Sequence, residues 1–236
     1  MKQQKLVSVI LPSYNERENI LRLIPGIIRA VRQADKWNVE IIIVDDDSPD
    51  GTAAAVRKEY GSIVRLIVRK NMRGLASAIA TGIRKAQGSV IIGMDADGNH
   101  DPSHIPALLK GLASADLVVG SRFVRGGGMR GVVRYVVSWL FNRWAHRLGF
   151  PVSDSTSGFY AIKTVALRQL GIGGIYHGYG EYHLRLVWCA KQYGIRIAEI
   201  PVIYGTRTYG QSKSRLPIML ITYTRTALQL LHQATA

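Results

Sequence analysis

The sequence predicts an α/β fold: a mostly parallel central sheet flanked by helices, with amphipathic helices toward the C-terminus. Three observations carry this. Up to residue 101, short apolar β-branched runs alternate with segments of helical spacing, the order that builds βαβ units with right-handed crossovers. Ile41-Ile42-Ile43-Val44 is apolar at consecutive positions, as in a strand buried on both faces. Two of the runs end in aspartates, Asp45-Asp46-Asp47 and Asp95-Ala96-Asp97, where an open parallel sheet holds its ligands, beyond the carboxyl ends of its strands.

The elements follow in order. Residues 5–11 are the first strand, and 16–31 have helical spacing, with Pro25 a kink or early stop. Residues 39–44 are the second strand, and 51–59 a short helix entered through Ser48-Pro49-Asp50. A third strand is expected at 63–68, a helix at 75–86 and a fourth strand at 89–94. After His100 the alternation changes. A helix is expected at 102–113, a strand at 117–120, and a mobile loop across the Gly- and Arg-rich 124–130. Residues 133–148 read as an amphipathic helix. Residues 159–162 and 196–203 read as strands, with a helix at 182–193 between them. Residues 205–215 are polar and basic, a surface loop, and 217–232 form an apolar helix.

Composition narrows the classes. The 236 residues suffice for one sizeable core, and 47% hydrophobic with 20% charged residues is globular rather than disordered. The single cysteine, Cys189, excludes an intramolecular disulfide. The N-terminal run is too short and too interrupted, by Pro12 and Asn15, to read as a signal peptide. The best candidate membrane spans, 131–150 and 216–231, fail on their arginines or their length. The net charge of +15 is uneven: residues 1–101 carry 15 Lys and Arg against 12 Asp and Glu, whereas 102–236 carry 16 against 4. The second half therefore attracts polyanions, an anionic membrane surface or phosphorylated substrates; a merely solubilising surface is the plainer alternative.

The aspartate clusters carry the chemistry. Converging carboxylates repel unless a cation or hydrogen-bond donors offset them. Hard oxygen ligands around a small residue suit Mg²⁺ or Mn²⁺ and, through them, phosphate oxygens, so Asp95 and Asp97 are read as a metal and diphosphate site. Asp50, just ahead of a helix, is read as a cap. His100 adjoins the acidic cluster, either as a metal-adjacent group or as a solvated loop residue. No Walker lysine motif, G-x-G-x-x-G, H-E-x-x-H, C-x-x-C or G-x-S-x-G is present.

Pro12-Ser13-Tyr14-Asn15-Glu16, Val44-Asp45-Asp46-Asp47-Ser48-Pro49-Asp50-Gly51-Thr52, Asp95-Ala96-Asp97, Gly120-Ser121-Arg122-Phe123, Thr156-Ser157-Gly158-Phe159 and Gly210-Gln211-Ser212-Lys213 occur in that order. Together they resemble the family 2 inverting glycosyltransferases of GT-A (Rossmann-like) fold, and within these the dolichol-phosphate (polyprenol-phosphate) mannose synthases. The resemblance runs from Val7 to about Arg215. It departs at Asp47, where relatives usually have glycine, and at Gly98-Asn99-His100. The Q-x-x-R-W motif of processive polysaccharide synthases is absent, which argues against chain polymerisation.

The resemblance implies one domain over 1–236, with 1–101 the nucleotide-binding half and 102–236 the basic, acceptor-binding half. It implies that Pro12, Tyr14, Glu16, Val44 and Asp46 hold the nucleoside, and that Asp95, Ala96 and Asp97 meet the diphosphate. Asp97 would be the metal ligand, supplemented by Asn99. Arg122 would reach the reaction centre, and Arg207 and Lys213 would fold over the donor phosphates. The residues themselves agree on that loop, which is basic and free of acids and so suited to ordering on an anion. Arg134, Ser138 and Asn142 stand at i, i+4 and i+8 on one helix face, beside Trp139, Leu140, Phe141 and Trp144. That pattern fits a lipid phosphate at a membrane interface, or equally a helix packed on the core with snorkelling arginines. The resemblance, in which Arg134 and Ser138 match acceptor-phosphate positions, points to the first.

The implied reaction is transfer of a hexose, mannose from GDP-mannose, to a polyprenyl or dolichyl phosphate with inversion. It would take place peripherally on the cytoplasmic face of a membrane, with room for a membrane-anchoring partner protein. Three alternatives make different demands. Another hexose would change only the donor. A saccharide hydroxyl as acceptor would require a carboxylate base, with Asp154 the first suspect and Glu181 the other remaining acid. A basic nucleic-acid binder would have no use for the acidic cluster and the ordered motifs, so no nucleic-acid partner is expected.

Overall fold

The computed structural model describes residues 5–205 and 216–235. The chain alternates β1 (Lys5–Ser13), α1 (Arg17–Gln33), β2 (Trp37–Asp45), α2 (Thr52–Tyr60), β3 (Val64–Val68), α3 (Leu75–Lys85) and β4 (Val90–Gly93). A 3₁₀ turn (Pro102–His104) leads into α4 (Ile105–Gly111), then β5 (Leu117–Ser121), β6 (Gly128–Met129) and α5 (Val132–Arg147). After these come β7 (Tyr160–Lys163), α6 (Thr164–Leu170), α7 (Ile172–Ile175), α8 (Tyr182–Gln192), β8 (Ile197–Pro201), β9 (Ile203–Tyr204) and α9 (Leu216–Thr235).

Seven strands form one sheet in the order β3-β2-β1-β4-β7-β5-β8. All run parallel except β7, which is antiparallel to both β4 and β5. Alternating side chains supply a core on each face. Val7, Val9, Leu11, Ile41, Ile43 and Ile92 face one core with α1 and α4, whereas Ile10, Ile42, Val44, Ile91 and Tyr160 face the other with α3 and α8. The uninterrupted apolar run of β2 is thereby explained: it has no solvent side. β1 pairs with β2 on one flank and β4 on the other, so the crossovers leave in opposite directions there. That switch point opens a crevice beyond the carboxyl ends of β1 and β4.

Two expectations are corrected. Pro25 neither stops nor ends α1, which continues through it to Gln33. The carbonyl of Leu21, which Pro25 cannot satisfy, accepts instead from the Tyr60 hydroxyl at 3.3 Å. The glycine-rich 124–130 is not all loop: Gly128 and Met129 pair in parallel with Ile203 and Tyr204 as a small second sheet. And α6 and α7 fill a stretch for which the sequence makes no prediction. Among the described residues, no helix is long and apolar enough to cross a membrane.

Candidate active site

The crevice at the switch point is a cleft of about 440 Å³. It gathers side chains distant in sequence: Pro12, Tyr14, Glu16 and Asp46 from the ends of β1 and β2, Asp95, Ala96, Asp97 and Asn99 after β4, Arg122 after β5, and Arg134 and Ser138 on α5. Two expected residues behave differently. Val44 is fully buried against the α3 side of the sheet and does not line the cleft. Asn142 is buried beneath it, donating to Thr156 Oγ1 (2.8 Å) and the Ser138 carbonyl (2.9 Å) and accepting from the Ser155 amide (2.7 Å). It belongs to no phosphate-binding stripe. Arg207 and Lys213 lie outside the described residues.

The first acidic cluster is offset by donors. Asp45 accepts from the Ser48 amide and hydroxyl. Asp46 is buried and paired with Arg69, whose Nη2 lies 2.6 Å from Oδ1, and its Oδ2 accepts from the Gly74 amide at 2.9 Å. Gly74 has φ +153°, and its carbonyl accepts from Arg69 in turn, so the turn ahead of α3 closes around this ion pair. Asp47 has φ +54°, a left-handed conformation that glycine adopts freely and aspartate tolerates. The departure at this position thus keeps the backbone shape. The N-cap of α2 is Gly51, without a side-chain cap, and Asp50 just before it accepts from the amide and hydroxyl of Thr52, closing the turn into the helix.

The second cluster is built differently. Gly98, at φ +81°, turns the chain back so that Asp97 accepts from the Asn99 amide (3.0 Å) and side-chain Nδ2 (2.8 Å). The Asp95 amide donates to His100 Nδ1 at 2.9 Å. His100 is not solvated: it is buried beside the acidic turn, its Nε2 3.8 Å from the Asp95 carboxylate, and stacked on Phe159 with ring centroids 4.9 Å apart. Burial pushes its pKa down to about 4, so the imidazole stays neutral and its Nδ1 remains an acceptor that holds the aspartate turn.

A divalent cation fits this donor set. Among the described residues no three His, Cys, Asp or Glu side chains gather around one point. One or two carboxylates with substrate phosphates completing the shell is the arrangement that Mg²⁺-type ions accept. Asp97 and Asp95 supply hard oxygens. Asn99 spends its amide nitrogen on Asp97, so any coordination by this side chain would be through Oδ1.

Arg122 is buried and clamped. Its Nε and Nη2 each approach an Asp154 oxygen at 2.7 Å, its backbone amide donates to the same carboxylate, and Nη2 also reaches Thr156 Oγ1 at 2.8 Å. The guanidinium lies over the Tyr204 ring, 4.7 Å from its centroid. Nη1, facing the weakly accepting Met129 sulfur at 3.9 Å, is the nitrogen best able to turn to an anion. Burial opposes ionisation of Asp154, yet the Arg122 charge and hydrogen bonds hold it below the usual carboxylate range. Asp154 is fully buried, and its own amide is tied to Glu199. Glu181 is also buried and pairs with Arg185 at 3.6 Å.

Sequence reasoning misses part of the lining. Arg73, whose guanidinium stacks on Tyr14 at 4.4 Å, and Gly74 line the cleft just ahead of α3. Their only sequence signal is Arg-Gly before a helix. The α9 residues Leu216, Met219, Leu220 and Tyr223 line the cleft together with Val137 and Phe141 of α5. Their apolar pattern is indistinguishable from that of any core helix.

The sheet, its switch point and an Asp-x-Asp turn in the crevice define a GT-A glycosyltransferase fold. Mycobacterium tuberculosis glucosyl-3-phosphoglycerate synthase, solved with Mn²⁺, UDP-glucose and glycerol 3-phosphate, superposes with a TM-score of 0.72 over 97% of this chain and 80% of that one, at 20% identity. A further structure of the same enzyme with phosphoglyceric acid gives 0.74. The profile of glycosyl transferase family 2 matches residues 8–170, and the chain belongs to that family. It is 34% identical over 216 residues to the undecaprenyl-phosphate mannosyltransferase of Micrococcus luteus, covering 88% of this chain and 86% of that protein. It is also 34% identical over 223 residues to the dolichol-phosphate mannosyltransferase of Pyrococcus furiosus, but spans only 58% of that protein's length.

Proposed function

We propose that this protein transfers a hexose, mannose from GDP-mannose, to a polyprenyl or dolichyl phosphate with inversion at the anomeric carbon, using Mg²⁺ or Mn²⁺. One observation carries the reading: a single cleft is lined by the Asp95–Asp97 turn, by Arg122, Arg134 and Ser138, and by apolar side chains of α5 and α9. Carboxylates, cationic groups and apolar side chains in one cleft suit a nucleoside diphosphate with its cation, an acceptor phosphate and a lipid tail. The names of the curated relatives support this acceptor class and this sugar.

The chemistry asks little of the protein. A phosphate monoester, with a second pKa of about 6, is largely dianionic near neutrality and attacks without a protein base. Arg122, Arg134 and Ser138 orient the phosphate for attack opposite the departing nucleoside diphosphate. Asp95, Asp97 and Asn99 would hold the divalent cation, which when bound neutralises charge on the leaving diphosphate. Arg207 and Lys213 would add positive charge on the same side. The phosphate–anomeric bond forms as the bond to the diphosphate breaks.

The reading with a hydroxyl acceptor is weaker on a specific observation. Its required base, Asp154, is buried, off the cleft and held ionised by Arg122. The glucosyl-transferring neighbours keep glucose open as donor sugar, although at about 20% identity they speak to fold alone. The proposed setting is the cytoplasmic membrane surface, where the lipid phosphate resides, alone or with an anchoring partner. A screen of nucleotide-sugars with Mn²⁺ or Mg²⁺ and a short polyprenyl phosphate tests all of this. Transfer from GDP-mannose with loss of activity in Asp97→Ala is expected; no transfer from any donor would sink the enzyme reading.

A further inference from the structure

The two anion-binding groups of the acceptor side stand on different elements. Arg122 follows β5, whereas Arg134 and Ser138 sit on α5. An acceptor phosphate can meet both only if their separation is held. The first half of α5 is only partly held: the buried residues of the helix are Phe141, Asn142 and Ala145, all in its C-terminal half, while Val132 and Val133 near its start are 78% and 74% exposed and Tyr135 makes a ring contact with Phe123 at 5.4 Å. Phe141 and Ala145 pack in the apolar core, and Phe141 meets Tyr223 of α9 at 5.8 Å between ring centroids. Such packing is non-directional.

Asn142 supplies the direction. Its Oδ1 accepts from the Ser155 amide at 2.7 Å, and its Nδ2 donates to Thr156 Oγ1 at 2.8 Å and to the Ser138 carbonyl at 2.9 Å. A backbone amide can only donate, so the orientation of this side chain is determined by chemistry, and both of its N–H donors are engaged. Thr156 Oγ1 is saturated in turn. It accepts from Asn142 and from Arg122 Nη2 at 2.8 Å, and donates toward Asp154 Oδ1 at 3.3 Å. One oxygen therefore receives both the helix that carries Arg134 and the guanidinium of Arg122.

We propose that Asn142 is a positioning residue that, through Thr156, sets Arg134 and Ser138 on α5 at a fixed spacing from Arg122, so that one phosphate engages both sides. It touches no substrate itself. The inference rests on the acceptor reading above for its consequence in catalysis, but not for its geometry.

The test uses the full chain and two variants, Asn142→Ala and Thr156→Val, with their combination. Steady-state kinetics are read with GDP-mannose, Mn²⁺ and a short polyprenyl phosphate, and GDP affinity is measured separately by calorimetry. The acceptor KM should rise on the order of ten-fold in each single variant, the cost of one or two lost buried hydrogen bonds. GDP affinity should stay within about two-fold, and the double variant should be no worse than the poorer single, as for residues in one network. Unchanged acceptor KM, or acceptor and GDP binding weakening together, or multiplicative effects in the double variant, would each overturn the proposal. Thr156→Val keeps the test open should Asn142→Ala fold poorly. Hydrogen exchange supplies a readout independent of turnover: residues 132–140 and 153–157 should lose protection together while the sheet keeps its own. If wild type transfers to no lipid phosphate, the acceptor reading fails. The exchange data then still decide the coupling, and loss confined to 153–157 would refute it.

Discussion

Arg122 and Asp154 show how much of a site residue's behaviour lies in its partner. The guanidinium spends Nε, Nη2 and the adjoining backbone amide on one carboxylate, so the pair acts as a rigid unit presenting Nη1. Replacing Asp154 by asparagine removes the compensating charge from a buried cation. Breaking such a pair costs about 3 kcal/mol or more. Asp154→Asn should therefore lower stability by roughly that amount in a denaturant titration, with a fall in kcat as Arg122 loses its orientation. Wild-type-like stability with lost turnover would instead favour Asp154 as a base. Asp97 behaves in the opposite way. It is bonded locally, to the amide and side chain of Asn99 two residues on, and it faces the cleft. Asp97→Ala should abolish metal-dependent transfer while lowering the melting temperature less than Asp154→Asn does.

At the scale of elements, α1 depends on a neighbour for its integrity. Pro25 leaves the Leu21 carbonyl without its helical donor, and the Tyr60 hydroxyl at the end of α2 replaces it. Tyr60→Phe should cost about 1 kcal/mol, the net worth of such a bond. In a Pro25→Ala background, where the new backbone amide restores the helical donor, the same change should cost much less. Equal costs in both backgrounds, measured by chemical denaturation, would show that the hydroxyl and the proline are unconnected.

Across the whole molecule, charge and burial set the response to surroundings. His183 is buried, its Nδ1 on the Ser155 carbonyl, and burial pushes its pKa down to about 4 from an ordinary 6.5. The facing Asp154 partly opposes this shift and Arg122 adds to it. The unfolded chain therefore binds a proton on His183 at a higher pH than the folded chain does. Stability is full above pH 6.5 and declines as pH falls toward 4, by up to about 3 kcal/mol from this one group. His183→Gln should flatten that decline in melts taken between about pH 7 and 4.5, the window in which the group titrates differently in the two states. An unaltered slope would place the acid sensitivity elsewhere. The basic half of the chain and the exposed Val132, Val133 and Leu140 of α5 with Ile218 and Ile221 of α9 make a second expectation. The protein should co-sediment with vesicles containing phosphatidylserine and be partly released by about 0.5 M salt, on the order of one kcal/mol per basic residue near the surface.

Residue order alone determined the alternation of strands and helices, the burial of β2 on both faces and the Asp95–Asp97 turn at a strand end. These follow from local periodicity and from the position of polar groups along the chain. Tertiary structure decided what depends on partners far away in sequence. Asp45 and Asp46 are bonded to Ser48, Arg69 and Gly74, His100 is a buried acceptor, and Val44 faces the core. Asn142 shares a helix face with Arg134 and Ser138 by spacing, yet the buried residues of α5 all lie in its C-terminal half, so that face is buried at one end and lines the cleft at the other. Periodicity tells which residues point the same way. Only the packing of α5 and the 153–157 loop against one another tells which of them meets solvent and which meets protein.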